Sequence, residues 1–252
     1  MRVVEATWER RNLGRIAFEV SLDKKDCGDI GGVIAQLGDL RFRGAYVTLK
    51  MPVGELAAFH ELEDYGFRFL ETQLGMRYDL TKYSTPEAIR KFVEPVSIRE
   101  VPHDRSQWEA VVGRISPDLF RTDRISLDPA FGPDVGCQRY RNWIMDLLDR
   151  ADAHLLIFSN PENPNEDYGF TIDIFDEKIG VVKGLLGGVF PDCDKAGIGI
   201  SMYDASFRNH VARGGRILES AISSNNPAVL AVDSALGVYA RKLTYVLRKL
   251  FD

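Results

Sequence analysis

The sequence predicts an α/β (α+β) protein in two parts, each combining strands with helices. Three observations support this fold class. An apolar run at residues 181–189 ends in a turn with two glycines, after which apolar residues recur at helical spacing. The order strand, helix, Gly–hydrophobic, strand occurs near both ends of the chain. Between residues 82 and 95, turn residues and the prolines Pro86 and Pro95 interrupt the periodic pattern, which marks a boundary.

The composition argues against several classes of function. The chain has 252 residues, 45% of them apolar and 27% charged, which is typical of a globular protein. Its formal net charge of −5 argues against a primary role in binding nucleic acid. No apolar run approaches the ~20 residues that a membrane helix needs. The N-terminus lacks the apolar core of a signal peptide, so we expect a cytoplasmic protein without a membrane partner.

Cysteine and histidine usage predicts no metal site. The three cysteines, Cys27, Cys137 and Cys193, are far apart and suit a reducing compartment. The four histidines form no H-x-x-x-H pair. Cys193 lies in the glycine turn, where we interpret it as a bystander thiol.

Residues 1–95 are predicted to form a smaller N-terminal domain. Strands are expected at residues 16–22, 44–50 and 67–80, and a helix at residues 54–65. Gly66 follows that helix and is suited to a left-handed cap.

Residues 96–252 are predicted to form the larger domain. We expect strands at residues 98–101, 153–158, 168–175, 178–190 and 216–222, and helices at residues 107–115 and 134–150. The long strand at 178–190 enters the glycine turn, and a further helix starts beyond it.

The glycine turn is the first candidate binding site. Gly197 and Gly199 lie between the end of a strand and the start of a helix. Such a turn presents outward-pointing backbone N–H groups, which favour an anion such as a pyrophosphate.

The same spacing resembles the acyl-CoA-binding loop of the GNAT N-acetyltransferases. In that family a strand ending in Val-x-Pro runs into Arg/Gln-x-x-Gly-x-Gly/Ala, as Val189-Phe-Pro does here before Gly197 and Gly199. Asp194 stands where the family has Arg or Gln, and Lys195 where a glycine is common. The later stretch from Asn226 through Leu236-Gly-Val is similar to the family's closing pattern of Asn, helix, Leu-Gly-Phe and strand.

This resemblance implies a splayed mixed sheet that holds acetyl-CoA as the acyl donor, without a metal. Val189 would place a backbone N–H near the acyl carbonyl. The remaining implied cofactor-binding residues are Asp194, Lys195, Ala196, Gly197, Ile198, Gly199 and Asn226. Residues 1–95 resemble an incomplete copy of the family's closing half and lack a G-x-G loop, so they would shape a site instead of binding the cofactor. The alternative is that they are an unrelated α+β segment.

The proton chemistry is where this sequence departs from the family. The tyrosine that the family uses to protonate the departing thiolate is replaced by Asp233. A carboxyl group suits that task only if burial raises its pKa sharply. Asp233 is the first candidate catalytic residue, and Tyr239 and Tyr203 are the alternatives.

Two further stretches resemble the TDP-fucosamine acetyltransferase group of GNAT enzymes. One is Trp8-Glu-Arg-Arg-Asn-Leu-Gly, and the other joins Arg124 and Asp128 to Tyr140-Arg-Asn-Trp-Ile. That group acetylates the amine of a nucleotide-linked amino sugar. The resemblance implies a small-molecule amine as the partner, with Arg124 and Tyr140 as candidate substrate-binding residues. A homodimer is one alternative for the oligomeric state.

Other functions stay open at this point. The same fold could act on a peptide, antibiotic or amino-acid amine. It could also be a non-catalytic binding module, which Asp194 and Asp233 would favour. A dinucleotide oxidoreductase is disfavoured because no G-x-G-x-x-G follows the first strand.

Overall fold

The computed structural model describes residues 1–38, 42–193 and 195–251. The N-terminal segment contains β1 (Arg2–Glu5), α1 (Thr7–Leu13), β2 (Ala17–Ser21), α2 (Lys24–Gly28), α3 (Ile30–Leu37), β3 (Tyr46–Pro52), α4 (Leu56–Asp64) and β4 (Arg68–Asp79). Single 3-10 turns at Leu80–Lys82 and Arg90–Phe92 lead into the second segment.

The C-terminal segment contains β5 (Ser97–Glu100), α5 (Arg105–Gly113), α6 (Arg124–Leu127), α7 (Pro133–Asp146), β6 (Ala153–Ser159), β7 (Asp167–Asp176), β8 (Val181–Val189), α8 (Ile198–Ala212), β9 (Ile217–Ser223), α9 (Pro227–Ala235) and β10 (Tyr239–Leu250). The α/β class is confirmed, and the predicted strands agree closely with the structure. The helix predicted at residues 134–150 ends earlier, at Asp146.

Helices α2 and α3 escaped prediction because glycines interrupt their apolar pattern. Gly31 and Gly32 are poor helix formers, so the local sequence favours a loop. Side-chain caps at their N-termini stabilise both helices. Asp23 and Asp26 form a reciprocal capping box at the start of α2, and Asp29 accepts a hydrogen bond from the backbone N–H of Gly32 in α3.

All ten strands of the described residues belong to one mixed sheet with the order β1-β2-β3-β10-β4-β9-β8-β7-β6-β5. The two segments exchange strands within it. Strand β4 of the N-terminal segment pairs antiparallel with both β9 and β10. Strand β10 in turn pairs with β3 and β4. Consequently, in the sheet that the structure describes, β9 and β10 are joined only through β4.

The hydrophobic cores follow this exchange. Leu247 of β10 is buried among the N-terminal core residues Leu37, Phe42 and Leu49. Met76 of β4 is buried in a cluster that otherwise contains mainly residues of α8, α9 and the strands beneath them. Each segment therefore completes the core of the other.

Strands β8 and β9 separate in the middle of the sheet, in line with the splayed sheet that the resemblance implied. They pair in parallel only from Val181 opposite Ile217 to Gly184 opposite Ser220. On its other side, β8 has a β-bulge: Gly184 pairs with Asp173 and Leu186 with Ile172, so Leu185 is the extra residue. Beyond Gly184 the two strands form the arms of a V.

The strand exchange predicts that residues 96–252 do not fold alone. Without β4, that fragment has no hydrogen-bonded connection between β9 and β10, and β10 loses both of its partner strands. We expect the fragment to lack a cooperative thermal transition, measured by circular dichroism, and to regain one when residues 1–95 are coexpressed with it. A cooperative transition in the isolated fragment would show that the exchange is dispensable.

Candidate active site

A cavity of about 1100 Å³ passes through the V and links both segments of the chain. Its walls include the splayed ends of β8 and β9, the first turns of α8 and α9, and the loop at residues 118–123. At the far end it is lined by side chains of α1, β2, β3, β4, α6 and α7. The cavity is therefore formed by both segments. One end is bounded by β8, β9, α8 and α9, and the other end, which we call the charged end, carries charged side chains.

The glycine turn is part of this cavity. Gly197 has a φ of 81°, a left-handed conformation that glycine adopts without strain, and α8 begins directly after it. Gly199 lies on the cavity wall beside Val189. A Cβ at position 199 would lie 3.8 Å from the Val189 Cγ2 atom, so the backbone there is accessible from the cavity. The positive end of α8 thus opens into the V.

The side chains of two other predicted cofactor-binding residues contact protein groups instead of lining the cavity. The Ile198 side chain is buried in a small core with Met202. Lys195 does not line the cavity, because its Nζ donates to the Tyr168 hydroxyl at 2.9 Å and pairs with Glu94 at 3.3 Å. Its predicted contact with the cofactor stays a prediction.

Three predicted cofactor-binding positions remain to be placed. Ala196 is exposed in the turn before α8. Asn226 lines the cavity and caps α9, since its Oδ1 accepts the Val229 N–H at 3.2 Å. Asp194 lies outside the described residues.

Asp233 lies inside the cavity on α9 and is 3% exposed. Burial raises the pKa of its carboxyl to about 7. Tyr203 lines the same wall from α8, and burial, followed by the charge of Asp233, raises the pKa of that phenol. The cavity therefore holds two groups that can carry a proton near neutral pH.

Tyr239, also predicted as a catalytic residue, does not line this cavity. It pairs with Arg77 at the start of β10, and its side chain is 63% exposed. The left-handed turn at Gly237, with a φ of 77°, starts β10 outside the cavity wall that α9 forms.

The charged end of the cavity contains both predicted substrate-binding residues. The Tyr140 hydroxyl donates to Asp123 Oδ1 at 3.0 Å, and burial raises the pKa of this phenol. Arg139 pairs with Glu9 at 2.7 Å and approaches Asp123 at 3.9 Å. This network fixes α1 of the N-terminal segment against α7.

Arg124 belongs to a looser group of four charges. It lies 3.7 Å from Glu19 and 3.9 Å from Glu71, while Lys50 lies 4.0 Å from Glu19. The Arg124 Nε atom has no hydrogen-bond partner among the described residues. Burial, and then the charge of Arg124, lowers the pKa of Lys50. We call Glu19, Lys50, Glu71 and Arg124 the charge quartet.

Sequence reasoning missed three members of the charge quartet. Glu19 and Lys50 lie on β2 and β3, which are otherwise mostly apolar, whereas Glu71 lies on β4 among several other polar residues. A charged residue within a buried strand is costly unless it is paired or used by a ligand. That signal was present in the sequence for Glu19 and Lys50, but only the folded sheet shows that the three side chains face one cavity.

The described residues contain no group of three or more His, Cys, Asp or Glu side chains placed to hold a metal ion. In the same part of the chain, no helix has both the length and the apolar character needed to cross a bilayer.

The sequence matches no protein-family model and no curated protein. Its structure is similar to solved structures at low identity. The GCN5-related N-acetyltransferase from Sphaerobacter thermophilus has a TM-score of 0.64 and 16% identity, over 98% of this chain and 75% of that one. A tandem GNAT protein from the clavulanic acid biosynthesis pathway has a TM-score of 0.50 and 15% identity, over 80% of this chain and 63% of that one.

A third similar structure is the glucosamine N-acetyltransferase region of a fungal multi-domain GH3 beta-N-acetylglucosaminidase. It has a TM-score of 0.53 and 15% identity, over 80% of this chain and 25% of that one. These likenesses show the fold, which is that of the GCN5-related N-acetyltransferases. The tandem structure agrees with an architecture of two halves.

The raised pKa of Asp233 predicts a pH-dependent stability. The folded state keeps this carboxyl protonated between about pH 4 and pH 7, where the unfolded chain has lost the proton, so stability falls as the pH rises through that window. Asp233→Asn cannot ionise. We expect it to be more stable than the wild type at pH 8, by up to about 4 kcal/mol, and to lose this advantage near pH 4.

Urea unfolding at both pH values measures this difference. Asp149→Asn, at an exposed position, is the matched control and should show no such trend. An advantage of equal size at pH 4 and pH 8 would contradict a buried, neutral Asp233.

Proposed function

We propose that this chain is an acyl-CoA-dependent N-acyltransferase that modifies the amine of a small polar molecule, with acetyl-CoA as the simplest donor. The observation that carries the proposal is the continuity of the cavity. One end opens between the splayed strands at the N-terminus of α8, and the other end holds buried charges from both segments. Direct transfer requires donor and acceptor to meet in one enclosed space.

The residues of the V suit an acyl-CoA. From Leu185 onward, β8 has no partner strand on the side of β9 among the described residues, so its backbone groups are available to the amides of a pantetheine arm. Gly184 to Val189 spans about 17 Å at the usual strand rise, comparable to that arm when extended. The first turn of α8 then supplies N–H groups for the pyrophosphate.

Gly188 keeps this channel narrow. A Cβ there would lie 3.1 Å from Leu119 Cδ1, so the glycine lets the loop at residues 118–123 close over β8. The loop covers this part of the channel and excludes water from it, which strengthens the polar interactions inside.

The bound acyl-CoA supplies a thioester, whose carbonyl carbon forms a C–N bond with the amine while its C–S bond breaks. The amine loses one proton and the departing thiolate gains one, so the products are an amide and free CoA thiol. Asp233 is suited to protonate the thiolate because its pKa of about 7 is close to the ~8.5 of a free thiol. Tyr203 on the same wall is the alternative donor.

The charged end suits an amino sugar linked to a nucleotide. The charge quartet has contacts too long for hydrogen bonds, so its acceptors and donors can bind hydroxyl groups, which act as both. Glu71 attracts an ammonium group. Trp8 and Trp143 add flat apolar faces to the same end. The structural likeness to a glucosamine N-acetyltransferase region is in line with this acceptor class.

Two other functions have support from particular residues. A peptide, antibiotic or amino-acid amine would also be attracted by the carboxylates of the charge quartet. A non-catalytic binding module is favoured by the aspartates at positions 194 and 233. That module would bind acetyl-CoA without releasing thiol on any amine.

The donor site is tested at Gly199, where the cavity leaves room for a side chain. Gly199→Asp should weaken acetyl-CoA binding at least about ten-fold, because a carboxylate at the positive end of α8 repels the pyrophosphate. Gly199→Ala, which adds only a methyl group, is the control and should have a small effect. Isothermal calorimetry measures both, and unchanged affinity in Gly199→Asp would refute the donor site.

The acceptor site is tested with a panel of amines and acetyl-CoA, followed by thiol release. We expect a nucleotide-linked amino sugar to be acylated faster than free glucosamine, an amino acid or a peptide N-terminus. Glu71→Gln should raise the KM for the amine about ten-fold or more through the lost charge, with unchanged acetyl-CoA affinity. Asp233→Asn should instead lower kcat by ~10²–10⁴-fold for every amine.

Glu61→Gln, at an exposed position on α4, is the control for Glu71→Gln. Faster acylation of the peptide amine would refute the sugar acceptor while leaving acyl transfer intact. Binding of acetyl-CoA without thiol release on any amine would favour the non-catalytic module.

A further inference from the structure

Four polar side chains lie together at the closed end of the V, on the side of α8. Thr171 and Asp173 are two residues apart on β7, so they point to the same face of the sheet. Ser206 and His210 are four residues apart on α8, so they share one helix face. All four line the same cavity as Gly199 and Asp233. We call these four residues the apex site.

Asp173 is the unusual member of the apex site. It is 1% exposed, and neither of its carboxylate oxygens has a hydrogen-bond partner among the described residues. The Thr171 Oγ1 is also without one. A buried carboxyl group without a partner costs several kcal/mol in the folded protein. Such a group in a cavity wall favours a ligand that donates a hydrogen bond to it.

His210 does not supply that partner. Its Nε2 lies 3.9 Å from Asp173 Oδ2, which is too long for a hydrogen bond, and 3.1 Å from Ser206 Oγ, with which it does form one. Burial lowers the pKa of His210 to about 4 and raises that of Asp173 to about 7. The two side chains therefore do not form an ion pair, despite their proximity.

The position of Asp173 relates it to the acyl group. Asp173 pairs across the strands with Gly184, the last residue at which β8 and β9 are still joined. The pyrophosphate end of the V lies at the first turn of α8, about 17 Å away along β8. A pantetheine arm that follows β8 from there brings its thioester toward Gly184. The acyl group then points at the apex site.

We propose that the apex site binds the distal end of a short acyl group that carries a hydrogen-bond donor, either a hydroxyl or an ammonium group. This inference rests on the proposed acyl-CoA function and specifies its donor substrate. The hydroxyl or ammonium group of the acyl chain donates a hydrogen bond to the Asp173 carboxylate, and Thr171 and Ser206 supply neighbouring hydroxyl groups. An acetyl or butyryl group ends in a methyl and leaves Asp173 without a partner.

The experiment measures binding of CoA thioesters by calorimetry, which needs no knowledge of the amine. The compounds are CoA, acetyl-CoA, butyryl-CoA, 3-hydroxybutyryl-CoA and β-alanyl-CoA. We expect 3-hydroxybutyryl-CoA or β-alanyl-CoA to bind about ten-fold or more tightly than butyryl-CoA, as a hydrogen bond to a charged group implies. Asp173→Leu should reverse this order while leaving the affinity for free CoA unchanged.

Two further variants keep the test decisive. Asp173→Asn retains an acceptor oxygen without the charge, so it should keep a preference for hydroxyacyl-CoA and lose one for β-alanyl-CoA. This nearly isosteric change decides the matter if Asp173→Leu does not fold. Asp149→Asn, at an exposed position outside the cavity, should leave the acyl preference unchanged.

Different failures have different meanings. If no CoA compound binds, the proposed function and this inference both fall. If CoA binds and all acyl groups bind equally in the wild type, this inference is overturned and the acyltransferase proposal stands. If Asp173→Asn shifts the pH profile of acyl transfer without changing the acyl preference, Asp173 serves proton transfer, and the inference is also overturned.

Discussion

Backbone hydrogen bonds from β4 to β9 and β10 are the constraint on which the cavity depends. Beyond Ser220, β9 has left β8, so within the described part of the chain that edge of β9 has no strand beside it. The opposite edge stays paired with β4 from Gln73 to Asp79, which holds β9 in place. A strand that loses one ladder tolerates this only when its other ladder is intact. The V is therefore held open by a strand from the other half of the chain.

Strand β4 also contributes a carboxylate side chain to the cavity. Glu71 lies on β4, opposite Val246 of β10, so the exchange that completes the sheet also places a carboxylate at the charged end. The walls that face the V carry two more buried carboxyl groups, Asp173 and Asp233. Each of these reduces the stability of the folded chain at neutral pH, because burial disfavours its charged form. That cost is expected where a cavity is prepared for a ligand.

The predictability of this structure differed between local and non-local features. Strand and helix positions followed from periodicity, and the splay of β8 and β9 followed from the resemblance around Gly197 and Gly199. The exchange of β4 and β10 could not be predicted, since strand pairing between segments about 170 residues apart leaves no local pattern. Arg124 was recognised because it lies in a short sequence motif. Glu71 was not recognised, because it reaches the cavity only through this long-range strand pairing.

The placement of Tyr239 illustrates the limit of a motif-based assignment. Tyr239 was predicted as an alternative to Asp233, but the turn at Gly237 starts β10 at that point and leaves the Tyr239 side chain exposed. Asp233, one helical turn earlier, stays in the cavity. The sequence indicated three candidates, Asp233, Tyr239 and Tyr203, and the direction of the chain after α9 takes Tyr239 away from the cavity that the other two line.

The partial coverage of β10 has a consequence for self-association. Strand β3 pairs with β10 only from Thr244 onward, so the preceding residues from Tyr239 to Leu243 form an open sheet edge in the described part of the chain. Open edges invite pairing with the edges of other molecules. Here Arg241, the extra residue of a β-bulge in β10, and its neighbour Lys242 are both exposed. Two like charges brought together in an antiparallel pairing of two such edges would repel each other, so this edge carries its own protection against aggregation.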